Sequence, residues 1–300
     1  TSAGVVVLSF LLAILSWRYV ERPFRRKGTA GKRKRLFALA AAVMTVSVAM
    51  GVAVDATQGW PGRFGDKLIA LGCDLETYNL GTCFLKEDQD SSEWKGEECF
   101  LQSDHARNTL LWGDSFAAHY VPGIKNSAHL FDSNILQYTA GGCAPAFNYD
   151  PVYRPQCKQF SAQIEHILAR YDIHTVVMAA DWKLALENGL TYVDLKRTVD
   201  SLRKKGIRVV LIGQSPRFDQ SVADISNRAR ILGSTITECP VSLDFSSVNS
   251  PLREIAGPGS FVDPSELFCE NQKCRFAGSE GFYFWDDGHL TPAGSKISIE

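Results

Sequence analysis

The chain is short of net charge: its 300 residues carry 32 Lys and Arg against 33 Asp and Glu, a formal net charge of −1. Such a balance does not suit a general binder of the nucleic-acid phosphate backbone. No two cysteines stand in Cys-x-x-Cys spacing, which argues against a zinc ribbon or a dithiol redox motif. Internal repeats and low-complexity tracts are missing, so neither a fibrous nor a disordered chain is expected. Cysteine is absent from the first 55 residues, and all eight fall at positions 73, 83, 99, 143, 157, 239, 269 and 274. Two stretches, 1–17 and 36–54, hold no charged residue at all.

What is present is unevenly placed. Residues 1–35 contain nine Lys or Arg and one acid, Glu21, a charge of +8, so the remaining 265 residues carry −9. About 20 apolar residues in helical form cross a bilayer core. The run 36–54 has that length; the run 1–17 just reaches it and looks cut at its start. Short loops rich in Lys and Arg stay cytoplasmic. The basic loop 18–35 is therefore expected inside, with everything after Asp55 exported. A signal peptide would instead show one apolar core and a small-residue cleavage site. An even number of cysteines after Asp55 fits an oxidising compartment. Cys143–Cys157 and Cys269–Cys274 are spaced for local bridges; the full connectivity stays open, as does a reading of buried free thiols.

Three regions follow: a membrane part at 1–54, an irregular extension at 55–104 that packs against the main domain, and the main domain at 105–300. In the main domain short apolar runs alternate with helical periods. Thr109–Trp112, Ile135–Thr139, His174–Ala179 and Ile207–Ile212 read as buried strands. Residues 116–130, Phe160–Tyr171 and Leu195–Lys205 read as helices. Strand–helix alternation with wholly apolar strands predicts an α/β fold with a parallel sheet. In such sheets a site lies beyond the strand carboxyl ends. Residues 215–282 read as a long insertion.

The first strand runs into Gly113-Asp114-Ser115, which puts a serine at a strand end and helix entry. There its amide can face a developing oxyanion while its hydroxyl attacks; an ordinary helix cap is the plain alternative. Near the C-terminus stands Asp286-Asp287-Gly288-His289, followed by Thr291 and Pro292 as a helix cap and first turn. An Asp three residues before a His can bend back to its ring N–H and fix the tautomer. His289 could then serve Ser115 as general base, and Asp287 is the less suitable orienter. His119, one turn after Ser115, and Trp182, at the mouth of the third strand, are candidates for lining a substrate site. The other histidines show no metal-ligand arrangement.

Together, Gly-Asp-Ser at the end of the first strand and Asp-x-x-His near the C-terminus resemble the SGNH hydrolase family over about 106–300. The resemblance implies a flavodoxin-like three-layer fold, Ser115 as nucleophile, His289 as base and Asp286 as its orienter. It also implies an oxyanion-hole Gly, for which Gly142, with Gly141 in reserve, stands after the second strand beside the Ser115 amide. The family's Gly-x-Asn-Asp block is absent: Ala180-Asp181-Trp182-Lys183 stands there, and no third oxyanion donor can be named. In the membrane part, Tyr19-Val20-Glu21-Arg22-Pro23-Phe24 resembles the end of the membrane domain of acyltransferase family 3, whose fused members carry an SGNH domain outside the cytoplasm. Bacterial O-antigen O-acetyltransferases are of this kind. The resemblance implies an inner-membrane protein whose periplasmic domain acylates a surface polysaccharide, with an upstream membrane domain and acetyl-CoA as donor. It implies no cofactor or metal in this part and no nucleic-acid partner. The ending at Ser298-Ile299-Glu300, early in a helix, reads as a truncation. Two rivals remain: a carbohydrate acetyl esterase with the same residues, and a non-catalytic domain that holds the glycan acceptor.

Overall fold

The computed structural model describes residues 2–18, 32–57, 71, 74–102 and 104–300. Most of the expected basic loop, residues 58–70 of the extension, and Cys73 lie outside these. The chain divides into two units, Thr1–Asp66 and Lys67–Glu300.

The first unit contains α1 (Ser2–Ser16) and α2 (Lys32–Ala56). The charge-free run 36–54 is helical throughout, as its composition demands, and the described apolar side chains of both helices are exposed. At 15 residues α1 is shorter than a bilayer core requires, and α2 opens on the basic run Lys32–Arg35. Among the described residues no helix is long and apolar enough to cross a membrane. The expected pair of spans is thus not met by those residues.

The second unit is built on a mostly parallel sheet. Its strands are β1 (Phe84–Leu85), β2 (Phe100–Gln102), β3 (Asn108–Gly113), β4 (Asn134–Ala140), β5 (Ile173–Ala179), β6 (Arg208–Ile212) and, after the short outlying β7 (Glu238–Pro240), β8 (Phe261–Val262). They run in the order β1-β4-β3-β5-β6-β8, with β2 antiparallel to β4. The five strands β4-β3-β5-β6-β8 follow the flavodoxin-like order 2-1-3-4-5. Apolar residues occur in these strands without alternation because both faces are used. Leu110, Trp112, Leu136, Tyr138, Val176, Met178 and Leu211 point to one face. There they meet α5 (Gln156–Ala162), α6 (Ile164–Arg170), α7 (Trp182–Glu187), α8 (Tyr192–Lys204) and α10 (Phe245–Ala256). On the other face Leu111 and Ile135 pack with Tyr120, Val121, Phe284 and Leu290. Among the described residues a trough of about 470 Å³ lies on this second face, over Thr109, Leu111, Ile135, Val177, Val210 and Ile212.

The extension is more closely bound than a linker. Its strands β1 and β2 both pair with β4. A disulfide joins Cys83 to Cys99. Trp94 donates its indole N–H to the Gln137 carbonyl, and the Gln137 side chain, fully buried, exchanges hydrogen bonds with Asn79 and the Tyr78 carbonyl. The expected bridges Cys143–Cys157 and Cys269–Cys274 are formed. Cys239 has no disulfide partner among the described residues. Where one helix was expected over 116–130 there are two short ones, α3 (Ser115–Ala118) and α4 (Val121–Asn126), and the expected helix 160–171 is divided at Gln163. The insertion 215–282 holds α9 (Val222–Ile231), α10, α11 (Pro264–Phe268), β7, β8 and small antiparallel ribbons.

Candidate active site

β3 delivers its last residue, Gly113, against β5. A Cβ on Gly113 would lie 1.8 Å from the Ala179 carbonyl oxygen, so no other residue fits where the two strand ends converge. The chain then turns through Asp114 into α3. Asp114 is the helix cap: its Oδ1 accepts the Phe116 N–H at 2.7 Å. Because Asp114 caps the turn, the Ser115 side chain is free for another partner.

That partner arrives from the far end of the chain. Thr291 caps α12 (Pro292–Ile297), its hydroxyl accepting the Gly294 N–H at 3.1 Å, with Pro292 in the first turn as the sequence predicts. The loop before this cap is folded on Asp286, whose Oδ1 accepts the backbone N–H groups of Gly288 and His289. Its Oδ2 lies 2.8 Å from His289 Nδ1, and His289 Nε2 lies 2.9 Å from Ser115 Oγ. Carboxylate, imidazole and hydroxyl thus stand in one line across 174 residues of sequence. Tyr78 of the extension donates its hydroxyl to the Leu290 carbonyl, bracing the residue after the histidine.

Electrostatics follow from this line. Burial pushes the Asp286 carboxyl up, but the bond from His289, its charge and the two backbone N–H groups hold it well below the usual range. Burial pulls His289 down; the bond to Asp286, its charge and that of Asp114 outweigh this and raise the imidazole above its ordinary value.

The loop after β4 carries Gly141 and Gly142. Gly142 adopts φ +70°, a backbone conformation suited to glycine, and both glycines line one groove of about 480 Å³ with Ser115 and His289. Among the described residues the amides of Ser115 and Gly142 donate to no other group. The loop is fastened by the Cys143–Cys157 disulfide and by the Tyr153 hydroxyl, which donates to the Gly142 carbonyl at 3.1 Å.

Two expected lining residues sit elsewhere. Trp182 is fully buried and donates its indole N–H to the Ile212 carbonyl, so neither ring face is open to a sugar. His119 is fully buried between Phe116 and Tyr120, its Nδ1 facing the Leu290 N–H at 3.5 Å. Burial, then the nearby His289, hold it well below the ordinary imidazole value, and it packs in the core rather than lining the groove. Both lie at periodic positions next to site residues, and periodicity alone does not give depth.

The position of the missing Asn block is filled differently. The Asp181 backbone N–H donates to Asp114 Oδ2 at 3.0 Å, and the Asp181 carboxylate pairs with Arg217. Arg217 reaches on to Asp287 at 2.7 Å and lies over the Phe116 ring. Asp287, unsuited to orienting His289, is thus an anchor for its loop. Burial, then Asp181, push Asp114 up to about 7. Asp181, too, is raised by burial, against the lowering influence of Arg217. Sequence reasoning found none of this network beyond the departure at Asp181. The groove is further lined by Leu75, Leu80, Phe84 and Lys86 of the extension, together with Tyr153 and Arg154. Among the described residues no group of His, Cys, Asp or Glu could hold a metal ion.

Comparison with known proteins fits this geometry. Residues 82–299 match the family described as the SGNH domain (fused to AT3 domains). Among solved structures, the periplasmic domain of a lipopolysaccharide acetyltransferase from Salmonella ser. Paratyphi A superposes with a TM-score of 0.60 at 19% identity, over 75% of this chain and 91% of that one. At that identity the likeness speaks for the fold alone. A Bacteroides fragilis protein, provisionally assigned as an acylhydrolase, gives 16% identity over 68% of this chain and 88% of its own, with a TM-score of 0.43, too low to carry an argument. A search of curated proteins found no match. The family match covers well over half of the chain and spans the extension strands, the Ser115 turn and the His289 loop alike: this chain belongs to the family of SGNH domains found fused to AT3 domains.

Proposed function

We propose that the second unit is an O-acyltransferase working through an acyl-enzyme on Ser115. The observation that carries this reading is the Ser115–His289–Asp286 line, with contacts of 2.9 and 2.8 Å. His289 takes the hydroxyl proton as Ser115 Oγ bonds the acyl carbon of an activated acyl donor, and the imidazolium passes that proton to the leaving group. The acceptor hydroxyl then attacks the serine ester. His289 takes its proton, the bond to Ser115 Oγ breaks, and the serine regains a proton from the imidazolium. The Ser115 and Gly142 amides hold the oxyanion in each half. Asp286 keeps Nδ1–H paired, so that Nε2 faces Ser115 as the base.

The acceptor is a hydroxyl of a cell-surface polysaccharide such as lipopolysaccharide O-antigen, a choice motivated by the Salmonella neighbour, itself the periplasmic domain of a lipopolysaccharide acetyltransferase. The acyl group is acetyl, drawn from acetyl-CoA by an upstream acyltransferase membrane domain. The first unit is the end of that domain, with two spans and the basic loop in the cytoplasm: the charge-free runs 1–17 and 36–54 of the sequence and the exposure of the described apolar side chains support this, while the described part of α1 is by itself too short to cross. The SGNH unit then lies in the periplasm, where its disulfides can form.

Structural analysis of surface polysaccharide from wild-type and Ser115→Ala cells tests this. Loss of acetyl groups in the variant is the expected result. Wild-type acetylation overturns the nucleophile assignment, and a gain of acetyl groups points to an esterase.

A further inference from the structure

The mechanism leaves Arg154, Lys86 and Glu87 of the groove unused. Arg154 is buried, its side chain 9% exposed, yet among the described residues its guanidinium has one ion-pair partner, Glu87 at 3.4 Å, which is itself 87% exposed. The guanidinium stands beside the oxyanion loop: its Nη2 lies 2.8 Å from the place a Cβ on Gly141 would take, and its Cγ 3.4 Å from that of Gly142. Glycine at position 141 leaves the guanidinium this space. Arg154 lines the same groove as Ser115 and His289, and so does Lys86 at the end of β1, which brings a second cation. Leu75, Leu80, Phe84 and Leu184 form the apolar remainder.

A guanidinium offers five N–H donors in a planar fork that matches a carboxylate or phosphate. Burying that charge costs free energy unless it is paired and hydrogen-bonded. One long contact to a surface carboxylate leaves most of the fork unmatched, while the groove beside it leads to the nucleophile. We infer, building on the acyl-transfer reading above, that Arg154, with Lys86 of the same groove, binds an anionic oxygen group on the glycan acceptor. That group is a uronic-acid carboxylate or a sugar phosphate, and its arrival displaces Glu87. Such an anchor would orient one acceptor hydroxyl toward Ser115 and reject neutral glycans.

The test is calorimetric binding of D-glucuronate, α-D-glucose 1-phosphate and D-glucose to the whole chain in a polyoxyethylene detergent, which has no sugar head group. Charge-assisted hydrogen bonds predict binding of at least one anion about tenfold tighter than glucose. Preference for glucuronate alone identifies a carboxylate, for the phosphate alone a phosphate. Arg154→Gln should erase the preference, and Arg154→Lys, which keeps charge without the fork, should keep part of it. Equal binding of all three sugars by the wild-type chain, no binding of either anion, or an undiminished preference in Arg154→Gln overturns the inference. Labelling of Ser115 by a serine-directed fluorophosphonate in the same sample scores the acyl-enzyme reading separately. A labelled protein without anion preference defeats the anion site alone. An unlabelled protein that prefers anions through Arg154 defeats the nucleophile alone.

Discussion

At the scale of single residues, the histidine is the group whose behaviour can be read most directly. In the proposed mechanism His289 must be neutral to act as base, and its surroundings raise it above the ordinary imidazole value of about 6.5. Hydrolysis of a small acetyl ester should therefore rise with pH through a midpoint above 6.5. The neighbours pull in opposite directions. Asp286 raises the imidazole and Arg217 lowers it. In Asp286→Asn the midpoint should move down, and the plateau should fall by a factor on the order of 10³–10⁴ because the tautomer is no longer fixed. In Arg217→Gln the midpoint should move up. It should also lose stability, because the carboxylate of Asp181, 4% exposed, is left without its cation. The pH–rate profiles of the two variants check both signs. Shifts in the same direction would show that the charge network does not govern the base.

At the scale of elements, the strands and the two site motifs were legible and the polar framework was not. Thr109–Trp112 and Ile207–Ile212 announce themselves because a strand buried on both faces is apolar without alternation. The Thr291 cap is legible because its side chain acts within three residues. β1 and β2 are two and three residues long, inside a segment with no period, and exist only because β4 offers them partners. The Asp114–Asp181–Arg217–Asp287 chain joins four separate segments, and no local rule reports that. The break after α3 places His119 inside the core rather than on a helix face. The loop carrying Gly142 belongs to this scale as well. Its bridge closes a separation of 14 residues, for which chain entropy predicts about 3 kcal/mol of stability. A Cys143→Ser, Cys157→Ser chain should lose that amount in denaturant unfolding. If the bridge also positions the oxyanion amide, kcat should fall further than KM changes. Loss of stability with kcat intact would make the bridge a scaffold only.

At the scale of the whole SGNH unit, the buried site sets the pH dependence of folding. Asp114 titrates near 7 in the folded state against about 3.8 when exposed, because burial and Asp181 oppose its charge. Between those values the folded chain holds a proton that the unfolded chain has released. Stability then falls as pH rises, by up to about 1.4 kcal/mol per pH unit for one group. His289 acts in the same direction higher up. Its raised value lends stability that is fully present below about 6.5 and is lost as pH climbs through the folded value. Asp286 works oppositely: its depressed value gives stability present above about 3.8 that disappears on acidification. His119, held well below the ordinary imidazole value, works against Asp114 in the same window, because the unfolded imidazole takes up a proton that the folded one refuses. The carboxylate of Asp114, next to Ser115 in the chain, is thus held at a cost in stability that grows as pH rises. Melting curves of wild-type chain and Asp114→Asn from pH 4 to pH 8 examine this. The variant loses the accepting oxygen that faces the Asp181 N–H, so its melting temperature is expected to start lower. Its decline between pH 4 and pH 7 should nevertheless be shallower than that of the wild type. A decline as steep as the wild type's would mean that the buried proton resides elsewhere in the network.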